Sequence, residues 1–197
     1  VRLLENEVLK RQLRKEMIKE RNALTPVQIA EKSAVIVDRL LMLDEYIDAR
    51  SIMVYLDCRS EVQTGSLVVR ALADGKRVAV PVTDKDNRSL TPSLITDFPG
   101  GLQPGPWGIP EPKTQTVRPL DPAVLDIVIT PGIVFDKSGY RIGYGYGYYD
   151  RFLRRTGQKA IYIGLAFELQ LQPNAYPGPH DVPVHYILTE NRLLRVR

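Results

Sequence analysis

The sequence predicts an α/β fold: a single three-layer α/β/α domain over residues 1–197, with a mostly parallel central sheet. Three observations carry this expectation. Short apolar runs read as buried strands at 51–56 (SIMVYL), 77–82 (RVAVPV), 124–130 (VLDIVIT) and 160–166 (AIYIGLA). Helical segments fall before and between them, and strands that alternate with helices favour a parallel sheet flanked by helices. The 197 residues, 44% hydrophobic and 25% charged, suffice for one substantial core.

Taken in order, residues 3–22 fit a helix with Leu9, Leu13 and Met17 on one face, and Lys10 and Arg14 together on another. TPVQ, residues 25–28, is a helix start. Thr25 caps, Pro26 suits the first helical position, and Gln28 completes a capping box. Ala30, Ala34, Val37 and Leu41 then extend an apolar face to about Tyr46. SEVQTGSLVVRALADG, 60–75, reads as a loop leading into a helix that stops at Gly75. Thr91 to Pro122 is rich in proline and glycine but carries the only tryptophan, Trp107. It reads as a long loop wrapping the domain and contributing to a site. A short helix is expected between about Tyr148 and Arg155.

Several classes of protein are disfavoured. No apolar run approaches the roughly 20 residues of a membrane-spanning helix. VRLLENEVLKRQLRKEM, at the start, is charged throughout and lacks the apolar region of a secretory signal, so a cytoplasmic protein is expected. Cys58 is the only cysteine, which excludes an intramolecular disulfide and favours a buried structural thiol over a nucleophile. With His180 and His185 as the only histidines, a Cys/His zinc cluster has too few ligands. The net charge of +4 suits an anionic ligand without choosing one.

The stretch YRIGYGYGYYDR, 140–151, concentrates the chemistry. Gly143, Gly145 and Gly147 clear side chains from a backbone that another molecule could approach closely. Arg141 and Arg151 are suited to forked bonds with phosphate, and Asp150 offers the hard oxygen that Mg²⁺ prefers. Its spacing is G-x-G-x-G, late in the chain, so it does not fit the dinucleotide fingerprint; nor does a G-K-[ST] follow to make a phosphate loop of the Walker type. A plain glycine-rich turn and a stacking surface for nucleic acid remain open beside the favoured reading, a phosphate-binding loop.

PGIVFDKSGYRIGYGYGYYDR, 131–151, resembles the signature of the 5-formyltetrahydrofolate cyclo-ligase family (5,10-methenyltetrahydrofolate synthetases). KRQLR (10–14), SEVQT (60–64), WGIPEP (107–112) and HDVPVHYILTE (180–190) are similar to further segments of that family, in the expected order. The resemblance implies a reaction with ATP as co-substrate and Mg²⁺ as cofactor, converting 5-formyltetrahydrofolate to 5,10-methenyltetrahydrofolate with release of ADP and phosphate. By that resemblance Lys10 and Arg141 would act in catalysis. Lys10, Arg14, Arg141, Gly143, Gly145, Gly147, Tyr148 and Tyr149 would hold ATP. Leu56, Glu61, Trp107, Tyr144, Tyr146 and Tyr148 would contact the folate, and Asp150 and Asp181 would hold the metal. No nucleic-acid or membrane partner is expected, and the chain is expected to be a monomer.

Each position also has a plain structural reading: Lys10 and Arg14 as a solvated helix face, Asp150 as a helix-end residue, Trp107 as core. His180 is assigned no catalytic part. Two positions depart from the family pattern. Tyr146 stands where glycine or lysine is expected, and His185 where aspartate is common. A related enzyme acting on another formyl or carboxyl substrate, and an RNA-associated module, are the alternatives at this point.

Overall fold

In the computed structural model, which describes residues 2–196 and side chains from residue 5 onward, the chain opens with helix α1 (Arg2–Asn22). Its inward face is not the expected Leu9–Leu13–Met17 stripe. Leu9 and Val8 are exposed, whereas Lys10, Met17 and Arg21 are buried and Leu13 and Arg14 half-buried. The face turned inward carries cations because part of it lines a cleft instead of apolar core.

Helix α2 (Pro26–Leu41) starts as the sequence indicates: the Gln28 amide donates to Thr25 Oγ1 at 3.2 Å and the Thr25 amide to Gln28 Oε1 at 2.9 Å. It buries Ile29, Ser33, Ile36, Val37 and Leu40, while Ala30 and Ala34 face solvent, so the expected stripe is one residue out of phase. The helix ends at Leu41, and a separate turn of helix, α3 (Asp44–Asp48), brings Tyr46 into the core. Strand β1 (Ser51–Met53) follows, and burial continues unbroken to Leu56. Helix α4 (Gly65–Ala73) stops at Gly75, whose φ of +75° lets the Gly75 and Lys76 amides bond back to the Leu72 and Ala71 carbonyls.

Strand β2 (Arg77–Asp84) turns into β3 (Ser89–Ile95), its antiparallel neighbour. The expected loop from Thr91 therefore begins as a strand. Pro92 hid it, but Pro92 sits on a sheet edge opposite Pro81, where a missing amide is tolerated. Beyond it, β4 (Leu102–Pro104) and β5 (Pro110–Pro112) form a small hairpin with Trp107 in its connection. Strand β6 (Ile127–Thr130) is shorter than expected because Pro122–Val124 is a helical turn. The remaining elements are β7 (Val134–Asp136), β8 (Arg141–Ile142), α5 (Tyr148–Leu153), β9 (Ile161–Leu165), β10 (Leu171–Gln172), β11 (Tyr186–Leu188) and β12 (Leu193–Arg195).

The main sheet has the order β12-β11-β9-β6-β1-β2-β3, with five parallel strands in the centre and an antiparallel strand at each edge. Ile52, Val54, Val78, Val80, Ile127 and Ile129 cluster on one face with Ile36 and Leu40 of α2 and Leu67 of α4. Met53, Ala79 and Val128 point the other way, onto Phe152 and Leu153 of α5. The result is the expected three-layer α/β/α arrangement. A second sheet, β10-β7-β8, packs under α1 through Met17, Ile133, Val134 and Ile142. Phe135 of β7 fits against Gly132 and Gly164, where an added Cβ would lie 2.5 and 2.4 Å from its ring.

From β1 the chain crosses to β2 on one side, and the next parallel strand, β6, returns to the other side of β1. The carboxyl ends of β1 and β6 thus diverge, leaving the kind of crevice in which α/β sheets bind ligands.

Candidate active site

The crevice is a cleft of about 450 Å³ floored by Tyr55 and Leu56 after β1 and by Pro131 and Gly132 after β6. Every residue singled out by the resemblance lines it: Lys10, Arg14, Leu56, Glu61, Trp107, Arg141, Gly143 to Asp150, and Asp181. Five separate parts of the chain supply them.

One end is cationic. Lys10 Nζ on α1 lies 2.7 Å from Asp181 Oδ2, which also accepts the Gly178 amide at 2.9 Å. Arg14 Nε donates to the Gly143 carbonyl at 2.7 Å, so α1 directly braces the glycine loop. Desolvation lowers the pKa of Arg14 from the ordinary guanidinium value, consistent with a place inside the cleft rather than on an open helix face. Arg141, nearly buried, donates to Asp150 Oδ1 at 3.0 Å and to the Val182 carbonyl at 2.7 Å. The Val182 amide in turn donates to Asp150 Oδ1 at 3.0 Å. Gly147 enters α5 with φ +67°, and Gly145 has φ +97° close to the Arg14 guanidinium, two conformations that favour glycine.

The opposite end is built by the loop after β1. Thr64 pins that loop: its hydroxyl donates to the Tyr55 carbonyl at 2.6 Å and its amide to Asp57 Oδ1 at 2.8 Å. Within it Glu61 is 6% exposed, and burial raises its pKa above the ordinary 4.5. Glu61 Oε2 accepts the Cys58 amide at 3.1 Å, and Tyr144 reaches Oε1 at 3.4 Å. Cys58 is half-buried beside it; burial and the neighbouring carboxylate push the thiol up to about 12, so it is held as an inert thiol.

Arg21 is the residue that sequence reasoning missed. It is 2% exposed and donates to Ser60 Oγ at 3.1 Å, the Gly132 carbonyl at 3.4 Å and Tyr144 Oη at 3.0 Å. It thereby ties α1, the Glu61 loop, the end of β6 and the glycine loop together. The signal was present in the spacing: Lys10, Arg14, Met17 and Arg21 recur with helical period on one face.

Trp107 is 46% exposed at the mouth rather than in the core. It stacks on Tyr146 at 5.4 Å, meets Tyr148 edge-on at 6.0 Å, and has Lys85 Nζ 5.2 Å from its ring centre. Tyr146 thus fills its unexpected place with an aromatic surface. The two histidines stand apart from this cleft. His180 is exposed, and His185 Nδ1 accepts the Tyr162 amide at 2.9 Å between β9 and β11.

Fold and site together define an α/β protein whose crevice sets cations paired with carboxylates against a buried acid. Comparison with known proteins gives this class its family. Residues 6–190 match the sequence profile of the 5-formyltetrahydrofolate cyclo-ligase family, and the chain belongs to that family. It is 34% identical to 5-formyltetrahydrofolate cyclo-ligase of Haemophilus influenzae, over 91% of this chain and 96% of that protein. It is 30% identical to the enzyme of the same name from Escherichia coli, over 90% and 98%. Among solved structures it superposes on Aquifex aeolicus 5,10-methenyltetrahydrofolate synthetase with a TM-score of 0.83 at 28% identity, covering 96% and 93%.

Proposed function

We propose that this single domain is a 5-formyltetrahydrofolate cyclo-ligase that uses ATP and Mg²⁺, with ATP phosphates at the Lys10–Arg14–Arg141 end and the folate ring at the Glu61 end. The observation that carries the reading is the convergence of those four side chains on one cleft from α1, β8 and the loop after β1. The formyl oxygen is an amide-type oxygen and a poor leaving group. Its attack on the γ-phosphorus of ATP releases ADP and turns that oxygen into a phosphate ester. N10 then bonds to the activated formyl carbon, loses its proton, and phosphate leaves as the five-membered ring closes.

The chain's residues act on this sequence by position and charge. Lys10, Arg14 and Arg141 hold the phosphates and offset charge on the transferring group. The glycine loop brings backbone close to the anion without side chains intervening. Glu61 accepts hydrogen bonds from the pterin N–H groups, Leu56, Tyr144 and Tyr148 line the ring, and Trp107 with Tyr146 covers the mouth.

Magnesium fits the acids present. Asp150 Oδ2 and Asp181 Oδ1 accept no hydrogen bond among the described residues, although the other oxygen of each carboxylate is engaged. Among the described residues no group of three or more candidate ligands gathers, and Mg²⁺ asks for fewer: one or two carboxylates, with phosphates and water completing its shell. Asp150 and Asp181 would hold it, and it would supply charge to the phosphate oxygens.

The test is direct. Purified protein mixed with 5-formyltetrahydrofolate and Mg·ATP should develop the near-ultraviolet absorbance of the methenyl product, and omission of ATP or Mg²⁺ should abolish it. No product from folded protein that binds ATP would assign the cleft to another formyl substrate.

A further inference from the structure

Among the buried side-chain polar atoms of the described residues, one has no hydrogen-bond partner: the hydroxyl of Tyr149. Leaving a sealed hydroxyl unmatched is costly, so it calls for an explanation. Tyr149 is the second residue of α5, and its half-buried ring lines the cleft while the hydroxyl lies deeper. Tyr149 packs against the core cluster that holds Tyr55, Leu56 and Val62, which flank the Glu61 loop, and its chain neighbour Asp150 pairs with Arg141, so it lies between the two ends of the cleft. Tyr55, the nearby phenol, is by contrast satisfied: its hydroxyl donates to the Val62 carbonyl at 3.0 Å.

We propose that the Tyr149 hydroxyl is a folate-positioning donor, making its missing hydrogen bond to the oxygen edge of the bound pterin rather than to ATP. This rests on the cyclo-ligase reading and adds to it a role for one atom. The argument is one of order. Along the pterin edge the 2-amino and N3–H donors come first, then the 4-oxo oxygen, then the formyl oxygen on N5, peri to that carbonyl. Along the cleft the acceptor Glu61 comes first, then the donor Tyr149, then the cation Arg141. The two sequences match: N–H groups to carboxylate, ring oxygens to hydroxyl, and phosphate to guanidinium.

The Glu61 end is closed by Tyr144, whose hydroxyl bridges Arg21 and Glu61. Tyr144 lies between Gly143, which has open space around it, and Gly145, at φ +97°. Those neighbours let the ring yield to an entering pterin, and the Tyr149 hydroxyl then gains its acceptor.

Tyr149→Phe removes one oxygen that no protein group uses, so the variant should melt no lower than wild type. Equilibrium binding can be followed through quenching of Trp107, the only tryptophan, with 5-formyltetrahydrofolate and Mg·ATP titrated separately. Folate affinity should fall about three- to tenfold, the worth of one net hydrogen bond, while Mg·ATP affinity stays within about twofold. Unchanged folate affinity, a loss confined to ATP, or a large drop in melting temperature each overturns the proposal and leaves the cyclo-ligase reading standing. A wild-type protein that takes up neither ligand overturns both.

Discussion

Individual side chains in this cleft do double duty, and their substitutions separate the duties. Asp150 steadies Arg141 and the Val182 amide, and in the proposed site its second oxygen would hold the metal. Asp150→Asn keeps an oxygen acceptor for both donors but loses the charge. The variant should fold, with turnover at saturating Mg·ATP lowered about a hundredfold or more, as steady-state kinetics over a magnesium titration would reveal. Normal turnover would remove Asp150 from the metal site. Glu61 bears on pH. Burial raises its folded-state pKa above 4.5, so the carboxylate proposed to accept pterin N–H groups is lost at a higher pH than for an exposed glutamate. KM for folate should therefore climb on acidification from above the usual carboxylate range, and Glu61→Gln should flatten that profile. For stability the sign is opposite: the contribution of this group is full below its unfolded value and is lost as pH rises through the folded one. At this scale the sequence was informative where chemistry is intrinsic to a residue type, as with Lys10, Arg141 and Asp150. For Arg21 the helical spacing gave only the face it shares with Lys10 and Arg14, because its role comes from partners 39 to 123 positions away.

Elements were legible in proportion to the local signals that start and stop them. The Thr25 box and Gly75 stop stand where the sequence places them because both are hydrogen-bond devices within a few residues. Strands of two or three residues, such as β7, β8, β10 and β12, have no period long enough to register. The stripes on α1 and α2 were misphased because which face turns inward is decided by what lies opposite. The glycine loop belongs to this scale as well. Gly147→Ala forces a left-handed conformation on a residue with a Cβ, which would lie 2.9 Å from Arg151 Nη1. The expected cost is about 1–2 kcal/mol in denaturant unfolding, together with weaker Mg·ATP binding as the loop readjusts. Wild-type affinity in that variant would mean that the loop shape is not part of the nucleotide site.

For the molecule as a whole, the joint between the two sheets is the feature that holds the cleft in shape. Phe135, fully buried, fits between Gly132 beside the cleft and Gly164 of β9. Phe135→Ala should cost about 3–5 kcal/mol by thermal or denaturant unfolding, and a variant as stable as wild type would show that the joint closes without the ring. Among the described residues no helix is long and apolar enough to cross a membrane. By itself the sequence determined the α/β class, the helix boundaries set by caps, and the types of residue that gather in the cleft. It could do so because propensity, capping and charge act over a few neighbouring residues. Only the tertiary structure decided that β3 continues the sheet, that α1 turns cations inward, and that Arg21 locks the Glu61 loop to the glycine loop. It alone leaves the Tyr149 hydroxyl unmatched, because burial and hydrogen bonding depend on atoms brought together from distant parts of the chain.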